Sequence, residues 1–189
     1  MNTDAIQVRP ARSDDRDRIL AVHLDAFGDE EGPVIVSLLE EMLDDSTAEP
    51  IYSFVADHDG VIVGHVLFTS VTIEPASGSV DAVAAQILAP LAVPSELHGK
   101  GIGTHLVNDA LQQLAASSVQ LVFALGYPNY YSRFGFVPAG ARGLQAPYPI
   151  PEKNADAWMV LELDANAVKS SDGTVKCCEA LSHQQYWVE

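Results

Sequence analysis

The sequence predicts an α/β protein in which a mixed β-sheet carries helices on both of its faces. Strand-like runs rich in β-branched and aromatic residues alternate with segments whose apolar residues recur at helical spacing. The run AQILAPLAV, residues 85–93, is apolar on both faces and is therefore typical of a central strand covered on each side. The predicted order is β-α-α-β-β-β-α-β-α-β with a final strand, which is typical of a mixed sheet.

The N-terminal half supplies one strand, two helices and a hairpin. After the alternating strand that begins IQVRP, Ser13 is a candidate N-cap for the first helix. The apolar face of that helix carries Ile19, Leu20, His23, Leu24 and Phe27. A second helix is predicted after Gly32 and Pro33. The turn sequence DHDG, residues 57–60, predicts a β-hairpin, and PASGSVDA, residues 75–82, is predicted to be a loop.

The C-terminal half alternates helices and strands. Residues 102–118 have helical spacing. The apolar positions of this helix are Ile102, Leu106, Val107, Ala110, Leu111 and Leu114. VQLVFALG predicts the next strand, and YPNYYSRFGFVPAG predicts a short helical turn that leads into another strand. AWMVLELD and GTVKCCEAL predict two late strands.

Pro90 interrupts the predicted central strand. Proline inside a sheet removes one ladder hydrogen bond and is tolerated mainly at edges and bulges. We therefore predict a β-bulge near Ala89 and Pro90. Such a bulge moves the strand away from its neighbour and frees backbone amides for a ligand.

Composition limits the class of protein. The 189 residues include 26 acidic and 10 basic side chains, for a formal net charge of −16, which argues against a nucleic-acid surface. No apolar run reaches the roughly 18 residues of a membrane span and no signal peptide is recognised, so we expect a cytoplasmic protein that binds no membrane. We expect one domain over residues 1–189, with a core of about 6–165 and a C-terminal strand and tail over 166–189.

The two cysteines, Cys177 and Cys178, are neighbours in the sequence. A lone adjacent pair predicts neither a disulfide framework nor a metal site, so we expect reduced thiols, half-buried on the terminal strand.

A glycine cluster, LHGKGIGTHL, lies between the central strand and the following helix. Lys100 is the only Lys or Arg between Arg18 and Arg133, which favours an anion site, although chance in a chain poor in basic residues is the alternative. A glycine-rich turn before a helix N-terminus suits an anion because unpaired N–H groups point outward. The spacing fits neither the nucleotide triphosphate loop nor the dinucleotide fingerprint.

The segment LAVPSELHGKGIGTHLV, residues 91–107, resembles the acyl-CoA-binding motif [QR]-x-x-G-x-[GA] of the GNAT superfamily of N-acetyltransferases. In this match His98 takes the Gln/Arg position, a departure from the pattern, and Gly101 and Gly103 are the two small residues. YYSRFGF is similar to the family's aromatic-Tyr-x-x-x-G-F segment. The resemblance implies the GNAT-like fold, with a mostly antiparallel central sheet splayed at a bulge.

The resemblance also implies acetyl-CoA as co-substrate, with no metal. The amides of residues 99–104 would hold the pyrophosphate with Lys100 nearby, and the strand amides of residues 91–93 would pair with the pantetheine arm. The implied cofactor-binding residues are Leu91, Ala92, Val93, His98, Gly99, Lys100, Gly101, Ile102, Gly103 and Thr104.

Tyr131 matches the family's catalytic tyrosine, so we expect it to protonate the departing thiolate; an aromatic core residue is the alternative. Tyr130 is the neighbouring candidate and could instead pack against the cofactor. Backbone amides of the bulged strand are expected to stabilise the oxyanion. No general base is identified, although His65 and Glu74 are candidates and water could accept the proton.

The expected function is N-acetylation of a primary amine on a small molecule or peptide. Acidic residues in the first two helices favour a cationic acceptor such as a polyamine, an aminoglycoside-like compound or a basic peptide N-terminus; solvated helix faces are the alternative. They are Asp25, Asp29, Glu30, Glu31, Glu40, Glu41, Asp44 and Asp45.

A catalytically silent acyl-CoA sensor or interaction module is the alternative function. We expect a monomer or a homodimer. Arg133 could reach a CoA phosphate, but a surface salt bridge is favoured.

Overall fold

The computed structural model describes residues 5–75, 83–165, 167 and 172–187. Nine strands and three α-helices lie within those ranges. The strands are β1 Ile6–Pro10, β2 Tyr52–His58, β3 Val61–Pro75, β4 Ala85–Ala92, β5 Leu121–Leu125, β6 Val137–Pro138, β7 Leu144–Gln145, β8 Trp158–Glu162 and β9 Gly173–Lys176. The helices are α1 Arg16–Asp44, α2 Ile102–Ala116 and α3 Pro128–Tyr131. The predicted loop over residues 75–82 lies, beyond Pro75, outside the described residues.

The sheet is mixed and mostly antiparallel, as predicted. Its strand order is β1-β2-β3-β4-β5-β8-β6, and β9 pairs with both β7 and the distal part of β3. Among the described strands, only β4–β5 and β7–β9 are parallel. The predicted hairpin joins β2 to β3 through Asp59 and Gly60, whose φ angles of 52° and 83° suit a two-residue turn with left-handed backbone.

Helices cover both faces of the sheet. α1 packs into one cluster of buried residues and α2 into another, so the sheet separates two cores. The six apolar positions predicted for α2 are all buried. On α1 the predicted face is correct at Ile19 and His23, whereas Leu24 is 47% exposed.

α1 is interrupted at Gly28. Its φ of 71° and ψ of −172° are not helical, and the helix resumes at once on the other side. Pro33 therefore lies inside the resumed helix. The prediction that a second helix starts after Gly32 and Pro33 is wrong because glycine adopts a positive φ easily, and because proline is tolerated near a helix start.

An ion-pair network joins the N-terminal strand to the start of α1. The Arg9 guanidinium contacts Asp15 at 2.6 Å and Asp57 at 2.9 Å. Asp15 is buried, and its hydrogen bond from Arg9 lowers the pKa of its carboxyl to about 2. The network thereby ties β1, β2 and α1 together.

The C-terminal part differs from its prediction. Cys177 and Cys178 follow β9 rather than lying in it, and Cys178 is fully buried. Burial raises the pKa of both thiols. Residues 184–187 form a 3-10 turn. The described tail returns to the core because Trp187 has an apolar partner there in Trp158.

None of the helices within the described ranges is both long and apolar enough to cross a membrane.

Candidate functional site

A cleft of about 1160 Å³ opens where β4 and β5 separate. Its walls come from the end of β4, the glycine cluster, the end of β5, α3, the middle of α1 and the C-terminal tail. Ligand sites in proteins usually have about 300–1,000 Å³, so this cleft has room for more than one small ligand.

A β-bulge in β4 opens the cleft. Ala89 and Pro90 together lie opposite the single residue Leu67 of β3, as predicted from the proline. The parallel pairing of β4 with β5 ends at Leu88 and Ala124. Backbone groups of β4 beyond Leu88 therefore face the cleft without β5 as a hydrogen-bond partner.

The glycine cluster turns the chain from β4 into α2. Gly99 and Gly101 have φ angles of 74° and 83°, which L-residues with a Cβ rarely adopt. Gly101 is the N-cap and has no side chain to cap the helix, so the first N–H groups of α2 remain available to a ligand. Nε2–H of His98 donates to the Val93 carbonyl over 2.8 Å and so braces the turn.

Gly103 has a different reason to be glycine. A Cβ there would lie 2.8 Å from the hydroxyl oxygen of Tyr130, so close packing of this tyrosine requires glycine. Arg133 stacks over the Tyr130 ring at 4.7 Å and donates to the Thr104 hydroxyl over 3.4 Å. Arg133 thus lies beside the first turn of α2 and lines the cleft, which differs from the surface salt bridge that the sequence favours.

Tyr131 lines the cleft and is 8% exposed. Its ring packs against Gly126, where a Cβ would lie 2.8 Å from a ring carbon, and makes an edge contact with Phe136. Tyr130 also lines the cleft, and burial raises the pKa of its phenol. The two hydroxyl-bearing rings are perpendicular, with centroids 5.2 Å apart.

Most of the predicted site residues meet in this cleft. Those that line it are Leu91, Val93, His98, Gly99, Gly101, Ile102, Gly103, Thr104 and Tyr131. Ala92 does not, because its side chain is buried in the α1-side core. Lys100 is exposed on the loop outside the cleft lining.

The two candidate bases lie elsewhere. His65 is fully buried, with Nδ1 2.8 Å from Nε2 of His23 and Nε2 2.9 Å from the Ser53 hydroxyl. Desolvation lowers the pKa of His23 to about 4 and that of His65 well below its ordinary value. Glu74 is exposed and paired with Lys176 at 3.2 Å. Neither candidate lines the cleft.

Two of the predicted acidic residues, Glu30 and Glu31, line the cleft. Others have structural contacts: Asp25 accepts from the Ser95 amide, and Asp44 binds Arg16. Within the described ranges, the structure contains no group of three or more metal-ligating side chains.

Comparisons with known proteins agree with this architecture. A family model for the acetyltransferase (GNAT) domain matches residues 7–139. The chain is 40% identical over 167 residues to the uncharacterized N-acetyltransferase YjhQ of Escherichia coli (strain K12), covering 87% of this chain and 88% of the relative.

Solved structures give the same result. The crystal structure of the GNAT family N-acetyltransferase YhbS from Escherichia coli, in complex with CoA, has a TM-score of 0.82 and 26% identity, covering 95% of this chain and 93% of that one. A GNAT family acetyltransferase from Brucella melitensis, in complex with acetyl-CoA, has a TM-score of 0.64 and 25% identity, covering 93% and 97%. The chain therefore belongs to the GNAT family of acetyltransferases.

Proposed function

We propose that this protein is an acetyl-CoA-dependent N-acetyltransferase that acetylates a primary amine of a small molecule or peptide. The observation that carries the proposal is that the β4 bulge, the glycine turn before α2 and Tyr131 all meet in one cleft. The CoA and acetyl-CoA complexes of the two related structures support this cofactor. We further propose that the whole chain acts as one domain.

The residues fit an acyl-CoA molecule. A Cβ at Gly99 would meet nothing within 4 Å, so the turn is open to a bulky phosphate. The free N–H groups of α2 attract an anion, and Arg133 supplies a positive charge at the same helix turn. Lys100 adds charge from the outer side of the loop. The β4 backbone after the bulge, at Leu91 and Val93, would pair with the amides of the pantetheine arm.

The protein's own groups would carry the chemistry. Acetyl-CoA, when bound, supplies a thioester whose acetyl carbon accepts the amine. Backbone amides near Leu91 and Val93 would donate hydrogen bonds to the carbonyl oxygen as it gains negative charge. The Tyr131 hydroxyl would give its proton to the departing sulfur while the new C–N bond replaces the C–S bond. Water would take the proton that the amine loses, since neither His65 nor Glu74 lines the cleft.

The acceptor would be cationic. Glu30 and Glu31 supply two carboxylates to the cleft lining. Charge attraction of this kind is screened by salt. The acceptor KM should therefore rise with ionic strength, and a KM that does not change would contradict electrostatic capture.

Calorimetric titration of acetyl-CoA tests the proposal. Gly101→Glu should abolish binding, because it puts a carboxylate where the pyrophosphate would lie. Gly60→Glu is the matched control: Gly60 has the same φ of 83° but lies in the β2–β3 turn. It should bind like the wild type. A wild-type protein that does not bind acetyl-CoA would refute the cofactor assignment.

Turnover assays distinguish an active enzyme from a catalytically silent acyl-CoA sensor. Tyr131→Phe should lower kcat by about 100-fold or more while acetyl-CoA still binds, because a general acid contributes roughly 10²–10⁴. Tyr130→Phe is the neighbouring comparison and should keep most of kcat. Binding without turnover of any amine would favour the sensor, and equal losses in the two variants would refute the role of Tyr131.

A further inference from the structure

The C-terminal segment, defined here as residues 178–187, forms one wall of the cleft. Leu181, Gln185, Tyr186 and Trp187 all line it. This segment lies beyond residues 7–139, the part matched by the family model. The wall therefore lies outside the part of the chain that the family model matches.

The segment is anchored at both ends. Near its start, the Glu179 amide donates to the Thr47 hydroxyl over 2.9 Å and the Ala180 amide to the Asp45 carboxylate over 3.0 Å. At its end, Trp187 is 2% exposed. These contacts give the wall a defined position relative to α1.

The indole of Trp187 contacts both an earlier residue of the segment and the central sheet. Its Nε1–H donates to the Leu181 carbonyl over 2.9 Å, and its ring makes an edge contact with Trp158 at 5.7 Å. Trp158 in turn stacks on Phe123 of β5 at 5.1 Å. The segment is thus held between the end of α1 and the central sheet.

This wall belongs to the α1 side of the cleft. Leu181 and Trp187 pack in the same cluster as Leu38 of α1. Ile102 and Tyr131, which face the proposed cofactor, belong to the opposite cluster. With acetyl-CoA along the α2 side, the space for the acceptor lies between α1 and the C-terminal segment.

The lining of that space is apolar with acidic groups beside it. α1 contributes Phe27, Val34 and Ile35, and the C-terminal segment contributes Tyr186 and Trp187. Glu30 and Glu31 are the carboxylates of the same half. A ligand with one ammonium group and an apolar, flat body matches this lining, since aromatic rings bind flat apolar groups well. A polyamine, charged along its length, would leave ammonium groups against apolar side chains.

We propose that residues 178–187 select the acceptor and that the acceptor is a primary amine with an apolar or aromatic body. The proposal rests on the acetyltransferase function proposed above. Tyr186, half-buried in the wall, is the main contact to the body of the acceptor.

Steady-state acetylation of two probe amines, phenethylamine and spermidine, tests this. The wild type should prefer phenethylamine. Tyr186→Ala should raise the KM for phenethylamine by about tenfold, the effect of one lost aromatic contact, with the acetyl-CoA KM unchanged. A preference for spermidine, acetylation of neither probe by a protein that binds acetyl-CoA, or an unchanged amine KM would overturn the proposal.

A second pair of variants changes only exposed residues of the segment. Gln184 and Gln185 are adjacent and exposed, but only Gln185 lines the cleft. Gln185→Lys should raise the KM for phenethylamine by about tenfold through charge repulsion, and Gln184→Lys should leave it unchanged. Equal effects of the two variants would overturn the wall assignment. Absence of acetyl-CoA binding by calorimetry would instead refute the acetyltransferase function itself.

Discussion

Stability of the fold should decrease as the pH falls from about 7.5 to about 5, because of the buried histidine pair. The rings of His23 and His65 are both fully buried and joined by a 2.8 Å hydrogen bond. Burial disfavours the charged imidazolium, so the folded-state pKa of each ring lies below its unfolded value. At pH values between the folded-state and the unfolded-state pKa of a ring, the unfolded chain binds more protons than the native protein. The free energy of unfolding therefore falls with decreasing pH.

The magnitude follows from the pKa of His23. With a folded-state pKa of about 4 against 6.5 in the unfolded chain, the linkage relation gives a loss of about 2 kcal/mol at about pH 5 relative to about pH 7.5. The pKa of His65 is lowered in the same direction, by desolvation and by the neighbouring His23, so the pair should lose more stability than His23 alone.

Urea unfolding at a series of pH values measures this loss. The control is the double variant His23→Leu, His65→Leu. It replaces both imidazole rings by apolar side chains, so that no single ring is left without its partner. Its free energy of unfolding should fall less than that of the wild type over the same pH interval, by at least about 2 kcal/mol. Parallel pH dependence of the two proteins would refute the reasoning. If the double variant does not fold, imidazole NMR shifts of the wild type decide the matter: charged rings in the native state at about pH 5 would also refute it.

Three further predictions concern packing, an ion pair and the thiols. Gly103→Ala should weaken acetyl-CoA binding because its Cβ meets the neighbouring tyrosine hydroxyl at 2.8 Å, whereas Gly140→Ala, which meets nothing within 4 Å, should bind as the wild type does in calorimetry. Asp15→Asn should lower the free energy of unfolding in urea by about 2 kcal/mol, since it weakens buried charge-assisted hydrogen bonds from Arg9, which keeps Asp57 as a partner; an unchanged free energy of unfolding would contradict this. Cys177 and Cys178 should react with a maleimide much more slowly in the native protein than in urea, because burial raises the pKa of both thiols, and equal rates would contradict their burial.

The parts of the site that sequence could predict depend on local rules. Pro90 cannot donate to a sheet ladder, so the bulge in β4 follows from one residue. The glycine turn follows in the same way, since Gly99 and Gly101 both have positive φ angles. Apolar spacing alone located α2 correctly.

The parts that sequence could not predict depend on contacts between distant segments. Arg133 meets Thr104 across 29 positions of the chain, and no local pattern indicates that pairing. Trp187 returns to Trp158 through tertiary packing, so the apolar character of the tail did not indicate that it would line the cleft. Pro33 is the stronger local signal for a helix boundary, but the structure places the break in α1 at Gly28.

That break at Gly28 is followed by a short stretch of α1 that can vary, before the helix returns to the core at Leu38, Leu39 and Met42. Before it, Ile19, Val22 and His23 are buried in the core. After it, Glu30, Glu31 and Val34 line the cleft and are exposed to solvent. Exposed positions tolerate substitution with small changes in stability, so mutations at these three positions can reshape the cleft at little cost to folding. Natural or engineered substitutions in this short stretch can therefore change substrate preference while the core stays the same.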